Sequence, residues 1–302
     1  MRADVERGML LMAAGVLMVP GVHAIAKSLG DTLSVGQIVA ARYFFQFLLL
    51  LPLVWVGHEG RIPAPRIGNA VLGLLLVTAS ISFILAVTLM PLADSAAIFF
   101  VEPLLLTLIS ALFLGETIGW RRLAAITAGF AGALIVIRPS FQDLGLPALL
   151  PLVAGSCYAV YMTVARHVVQ SQDGRVIQFW VSVFALAVLT VAMIIGHFAD
   201  WELFRPAWPQ GHEWLMLGAL GAISLGSHML AIRALKLAPA GILAPFQYLE
   251  IFGATILGVV FFADLPDAVT TAGILIIVAS GLYVFHRERQ LARRKTGSSV
   301  EE

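Results

Sequence analysis

The chain has 302 residues, 60% of them hydrophobic and only 12% charged, with a formal net charge of +1. Soluble domains carry about 25% charged residues, and a mean hydropathy of +0.93 excludes a soluble globular domain. Nothing in this balance points to a nucleic-acid partner, and the lone Cys157 excludes an intramolecular disulfide or a multi-cysteine metal site.

Taken in order, the chain opens with charges (Arg2, Asp4, Glu6, Arg7) before an apolar run. That layout mimics a signal peptide. No small-residue cleavage site leads into a soluble domain, so the run reads as a first permanent helix. A spanning helix needs about 20 mostly apolar residues. Ten such runs are predicted, at 8–27, 34–56, 69–90, 93–114, 120–138, 147–166, 176–197, 213–233, 240–262 and 268–286. The longest connection, 198–212, carries Trp201 and Trp208, suited to a membrane interface. The tail after His286 is basic and then polar, and its end reads as disordered.

Lys and Arg placement orients the helices. With the N-terminus in the cytoplasm, 15 of them fall in cytoplasmic segments, three (Lys27, Arg138, Arg205) fall outside, and Arg42 lies within a helix. This imbalance predicts an even number of spans, with both termini cytoplasmic.

The halves also resemble each other. Ala26-Lys27 matches Ala165-Arg166, and Gln37 matches Gln178. Glu250 stands as far before Asp264 as Glu102 stands before Glu116. Matched loops carry opposite charge: Met90 to Asp94 lacks Lys and Arg, whereas its counterpart holds Arg233 and Lys236. Five helices per half with swapped loop charge are the mark of an inverted-topology repeat, found mostly in secondary transporters. The expected fold is therefore an all-α integral membrane protein of ten transmembrane helices in two inverted five-helix repeats, 8–138 and 147–286, with a cytoplasmic tail at 287–302.

On these features the chain resembles the EamA group of the drug/metabolite transporter superfamily. The motifs are Arg42-Tyr-Phe-Phe in the second helix, Glu102-Pro103 in the fourth, and Leu114-Gly115-Glu116 before a helix with Gly129 and Gly132. The resemblance spans about residues 8–286. It implies a central cavity between the halves, opened to either side in turn, a bacterial inner-membrane location, and small metabolites as cargo. The second half departs from the pattern: Ala263-Asp264 replaces Gly-Glu, and Ile251 replaces the proline after the carboxylate.

The candidate site follows from charges that lipid does not tolerate. A charge at mid-membrane costs roughly 2.5–3.5 kcal/mol on insertion scales. Glu102 and Glu250 each lie about ten residues into a span, near the midplane at a rise of 1.5 Å per residue. They are expected to bind substrate, to carry a proton, or to form a structural pair. Arg42 must face the interior and find an acceptor, either an anionic group of the substrate or Glu102. Gln46 lies one turn on, on the same face. Gln247 shares a face with Glu250, with Tyr248 beside it and His228 in the eighth span. Tyr158, Tyr161, Phe99 and Phe100 add aromatic surface, and His23 is a weaker candidate. Pro103 removes an amide and leaves a carbonyl near Phe99 to face a cavity.

The chain holds no P-loop, no metal-ligand cluster and no nucleophile elbow, so no cofactor, metal or enzymatic step is expected. The reading is a secondary transporter of a small polar or amphipathic metabolite, working by two halves that rock around a midplane cavity. Riboflavin or another vitamin-like or amino-acid-derived solute fits such a cavity, and uptake is favoured. Proton coupling is a candidate drive; oligomeric state is not encoded in any motif. A membrane-embedded lipid-linked transferase would cluster its acidic residues at one face instead. A non-transporting sensor or scaffold would show no solute flux.

Overall fold

The computed structural model describes residues 2–114, 120–169, 172–238 and 243–298, and no β-strand occurs among them. Eleven α-helices are described: α1 (Arg2–Leu29), α2 (Val35–Gly57), α3 (Ile67–Leu89), α4 (Leu92–Phe99), α5 (Glu102–Leu114), α6 (Trp120–Leu144), α7 (Leu150–Val169), α8 (Gly174–Ala199), α9 (Gly211–Leu237), α10 (Leu249–Phe262) and α11 (Ala268–Ser298). Short 3-10 helices precede α7 (Leu146–Leu149), α9 (Glu202–Phe204) and α10 (Ala244–Tyr248).

The helices are inside-out relative to a soluble protein. Leu48, Leu53, Trp55 and Val56 on α2 are exposed, as are Val191, Ile194 and Phe198 on α8 and Phe252, Ile256 and Val260 on α10. Apolar surface on that scale is stable only against lipid. Polar side chains go inward: Gln46, Asn69, Ser82, Asp94, Ser95 and Gln178 are buried. Seven helices (α1, α2, α3, α6, α7, α8 and α9) are long and apolar enough to cross a bilayer, and two shorter apolar helices span Phe246–Phe262 and Ala268–Val284. The chain is a multi-pass membrane protein.

Helix starts follow local chemistry. The Ser34 side chain accepts a hydrogen bond from the Gln37 amide, and Asp173 does the same for Arg175. Gln210 and Glu213 form a capping box at α9, which satisfies two orphan amides reciprocally. Glu213 also accepts from the Thr32 hydroxyl at 2.5 Å. Asp267 accepts from the Thr270 amide at 2.6 Å, and these bonds to the anion hold its carboxyl below the usual range.

Several expected boundaries change. The fourth apolar run is not one helix: α4 ends at Phe99 and α5 begins at Glu102. The ninth contains a 3-10 helix at Ala244–Tyr248 before α10, and its first residues, 240–242, lie outside the described residues. Helix α6 passes through Pro139 to Leu144, and α1 begins at Arg2. Charge ends an apolar run, but it does not end a helix whose backbone bonds are internal. For the same reason α11 runs on past the expected end at 286 to Ser298. Residues 299–302 lie outside the described residues, as do Glu116 and the side chain of Arg166.

The principal packing partners are α1 with α9, α3 with α7, α2 with α8 and α9, α3 with α8, α6 with α11, and α4 with α10. Helix α1 also packs on α10, and α5 on α7. Close approaches use glycine. A Cβ on Gly132 would stand 3.0 Å from the Gly273 carbonyl oxygen, and one on Gly273 would stand 2.9 Å from that of Gly132. This fits the preference of membrane helices for small residues at contacts.

The C-terminal cap of α10 is an exception to its own chemistry. Ala263 is left-handed, with φ 56° and ψ 24°. Glycine normally fills that position, and an L-residue there costs roughly 1–2 kcal/mol. The sharp turn lets the Asp264 amide bond the Gly258 carbonyl at 3.0 Å. Ala263→Gly should therefore raise the melting temperature of the purified protein, by an amount equivalent to about 0.5–1 kcal/mol. An unchanged or lower melting temperature would show that the turn carries no strain.

Candidate functional site

Arg42 projects from α2 into the interior and is 9% exposed. Its Nη2 donates to the Tyr43 hydroxyl at 2.8 Å and to Ser80 Oγ at 2.7 Å. Ser80 in turn donates to the Leu76 carbonyl at 2.6 Å, which fixes its lone pairs toward the guanidinium. The guanidinium also lies 4.7 Å from the centre of the Tyr43 ring. All of these partners are neutral. No carboxylate lies within ion-pair distance of Arg42 among the described residues, and its buried Nε has no acceptor. The expected alternative, an ion pair with Glu102, is not formed.

Gln46 and His228 converge on one serine. Gln46 Nε2 donates to Ser224 Oγ at 2.9 Å, and His228 Nδ1 contacts the Ser224 carbonyl at 2.8 Å. Gln46 is only 1% exposed, so in this conformation it belongs to the α2–α9 seam. His228 is half-buried and within electrostatic reach of Arg42.

The two carboxylates occupy equivalent local settings reached by different means. Glu102 lies in the first turn of α5 and Glu250 in the first turn of α10. In the first case Pro103 lacks the amide that would bond the Phe99 carbonyl. That carbonyl does not face an open cavity as expected; a Cβ on Gly155 of α7 would stand 2.8 Å from its oxygen. In the second case a 3-10 helix, Ala244–Tyr248, leads directly into the α-helix that carries Glu250. Both carboxylates are buried, and they are electrostatically coupled to each other. Neither accepts a hydrogen bond from a side chain among the described residues. The nearest ionisable neighbour of Glu250 is His23, with Nδ1 at 3.8 Å.

Aromatic rings pack in a chain close to these groups. His23 lies against Phe83 (4.3 Å between ring centroids), Phe83 against Phe99 (5.2 Å), Phe99 against Tyr158 (5.6 Å) and Tyr158 against Tyr161 (5.4 Å). Phe100 meets Tyr248 at 5.4 Å, and the Tyr248 hydroxyl packs directly on Gly281. Tyr158 is within electrostatic reach of Glu102, Glu250 and Arg42 together. Gln247 is half-buried, and its amide has no partner among the described residues. The structure thus brings Arg42, Glu102, Glu250, Tyr248 and His228 around one interior and turns Gln46 into a helix seam. Sequence reasoning missed Ser80 and Phe83 and underweighted His23. A serine inside the run 69–90 was the available signal for the first.

A second polar cluster lies at one end of the bundle. Lys27, in the last turn of α1, donates to Asp264 Oδ2 at 2.6 Å and to the Met90 carbonyl at 3.2 Å. Its ammonium sits 4.8 Å from the Phe262 ring centre, and Asp94 at the start of α4 lies within its electrostatic reach. One cation therefore ties the ends of α1, α3 and α10. Nearby, Gln37 bonds the Ala207 backbone in both directions, at 2.6 and 2.8 Å.

An interior lined by buried charge within an apolar bundle is the arrangement of a membrane transporter. The EamA-like transporter family model matches residues 6–138 and again 145–285, and the chain belongs to this family, within the drug/metabolite transporter superfamily. It is similar to an S-adenosylmethionine uptake transporter of Rickettsia felis, with 26% identity over 90% of both chains. It is also similar to a pseudopaline exporter of Pseudomonas aeruginosa, with 28% identity over 91% of this chain and 94% of the other. A riboflavin transporter of Brucella anthropi is 24% identical over 93% of this chain and 99% of the other. One solved crystal structure shares the fold, with a TM-score of 0.63 and 20% identity over 94% of this chain and 98% of that one.

If Lys27 holds this end shut, Lys27→Ala should speed modification of a cysteine placed at His23, in a Cys157→Ser background, by a thiol reagent applied from the Lys27 side. Equal labelling rates with and without Lys27 would reduce the ion pair to a surface contact.

Proposed function

We propose that this protein is a secondary transporter that moves a small polar or amphipathic metabolite across the bacterial inner membrane by alternating access. The observation that carries the proposal is the pair of buried carboxylates, each in the first turn of an α-helix, Glu102 after the break between α4 and α5 and Glu250 after a 3-10 turn. Discontinuous helices with charged groups near mid-depth are how transporters build solute sites.

The two halves, 8–138 and 147–286, are read as inverted repeats with ten spans and both termini in the cytoplasm, followed by a tail at 287–302. The packing supports this reading. Advancing every span by five exchanges the α1–α9 contact with the α7–α3 contact, and the α2–α9 contact with the α8–α3 contact. It exchanges α1–α10 with α7–α5, and returns α2–α8, α6–α11 and α4–α10 to themselves. A pseudo-two-fold axis requires that pattern.

The same pattern changes the expected motion. Each half packs mainly on the other, so the halves are too interlocked to rock as two bodies. The compact groups are mixed: α1, α2, α9 and α10 against α3, α4, α5, α7 and α8. Glu250 belongs to the first group and Glu102 to the second.

The relatives are named for solutes that join a ring system or several charges to polar groups, and a site of aromatics with a few charged groups suits that class. Glu102 and Glu250 are the candidates for substrate contact and for proton coupling.

Purified protein in liposomes should show counterflow of one of three probes: S-adenosylmethionine, riboflavin or methionine. Glu102→Gln should lower that flux at least tenfold while leaving the melting temperature close to the parent. Full flux in the variant at every pH would remove Glu102 from the transport step, and no flux above empty liposomes for any probe would favour a sensor or scaffold. Topology has its own check. A cysteine introduced at Trp208 should react with an impermeant reagent applied to intact cells, and reaction only after permeabilisation would invert the orientation.

A further inference from the structure

The interior holds an arginine and two carboxyl groups that do not pair with one another. From this mismatch we propose that the transported solute is a zwitterion, whose anionic group binds Arg42 and whose cationic group binds between Glu102, Glu250 and the aromatic rings. The inference deepens the transporter reading and rests on it.

Consider first the cation in the wall. Arg42 is held in place by Tyr43 and Ser80, but both are neutral. They orient the guanidinium without cancelling its charge, and the buried Nε is left without an acceptor. A guanidinium offers paired donors in a fixed fork, and a carboxylate is the group that fills such a fork bidentately. In this interior the carboxyl groups of the protein lie elsewhere. No Arg42 pair with Glu102 or Glu250 falls within the 4.0 Å limit of an ion pair.

Now the opposite wall. Glu102 and Glu250 are electrostatically coupled to each other, with no Lys or Arg side chain within ion-pair distance of either among the described residues. His23 stands 3.8 Å from Glu250 and is packed on Phe83. Tyr158 lies within electrostatic reach of both carboxyls and Tyr248 within reach of Glu102, and Phe83 and Phe99 pack in the same aromatic chain as Tyr158. Carboxylates together with aromatic faces form a receptor for an organic cation, since ring faces attract cations through their quadrupole. Tyr158 stands within electrostatic reach of both walls.

A purely anionic solute would satisfy Arg42 and leave the two carboxyl groups without a partner. A purely cationic solute would satisfy those carboxylates and leave Arg42 buried without a counter-ion. A neutral solute would leave both walls unmatched. A solute with separated carboxylate and ammonium or sulfonium groups matches both walls at once. It would also explain why the chain keeps Arg42 and the glutamates apart instead of letting them pair.

The test is a melting-temperature titration of the full-length protein in nanodiscs with probes matched in size and differing in charge. S-adenosylmethionine, methionine and carnitine are the zwitterions. Decarboxylated S-adenosylmethionine and choline are the cations, hexanoate is the anion, and methylthioadenosine and riboflavin carry no net charge. A ligand that binds the folded state raises the melting temperature with its concentration. The expected result is that the tightest probe is a zwitterion and that its decarboxylated or deaminated counterpart binds at least tenfold more weakly. Arg42→Gln should weaken the zwitterion tenfold or more and leave the weak cation binding unchanged, while Glu250→Gln should weaken both. If Arg42→Gln fails to fold, Arg42→Lys keeps the charge, loses the fork, and should show a smaller loss of the same kind. A neutral or singly charged probe as the tightest binder would overturn the zwitterion assignment while leaving transport standing. No shift with any class would overturn solute binding at this site, and the transporter reading with it.

Discussion

Everything in the interior depends on how a charge is held away from water. A charged side chain at mid-membrane costs roughly 2.5–3.5 kcal/mol on insertion scales, and three such groups face this interior. The fold lowers the cost of the two carboxylates by placing each in the first turn of a helix. There the positive end of the helix dipole stabilises an anion by about 0.3–1 kcal/mol, and by about 2 kcal/mol when partly buried. That offset is smaller than the cost, so the carboxylates remain able to respond to a ligand or a proton. Arg42 is treated alike: hydroxyl acceptors and a tyrosine ring stabilise it without neutralising it.

The helix breaks are therefore as important as the charged residues. An unbroken fourth span would place Glu102 in mid-helix, where every amide is already bonded and the dipole gives no help. Breaking a helix in lipid exposes backbone groups, which is tolerated only where protein covers them. Gly155 provides that cover for the Phe99 carbonyl by letting α7 approach it. The second carboxylate follows a 3-10 helix rather than preceding a proline. Two unlike backbone devices thus bring the two glutamates to the same electrostatic setting.

Much of this was legible in the sequence because lipid imposes simple rules. Apolar runs located the helices, and stranded charges located Glu102, Glu250 and Arg42. What the rules could not reveal were contacts between residues far apart in the chain. Lys27 and Asp264 are each visible as loop-end charges, but their 2.6 Å bond depends on the left-handed turn at Ala263, which no hydropathy pattern encodes. Gln46 looked like a neighbour of Arg42 on a shared face, and it is one. Ser224 opposite it determines that its amide is spent on helix packing. The expected ends at 138 and 286 fall short of the helix ends at Leu144 and Ser298, because polarity marks the edge of the bilayer while backbone bonding decides where a helix stops.

The interlocking of the halves bears on how binding could drive movement. Arg42 on α2 is anchored by Ser80 on α3, and His23 on α1 packs on Phe83 of α3. Glu102 and Glu250 sit on opposite sides of the same boundary. The site is thus distributed across the seam between the two mixed helix groups instead of being housed in one of them. A ligand that neutralises charge on both sides of a seam changes the balance between its open and closed states, because its interaction energy differs between them. A ligand confined to one side would have no such leverage. The location of the charges, more than their number, is what makes this interior suited to coupling solute binding to a change of access.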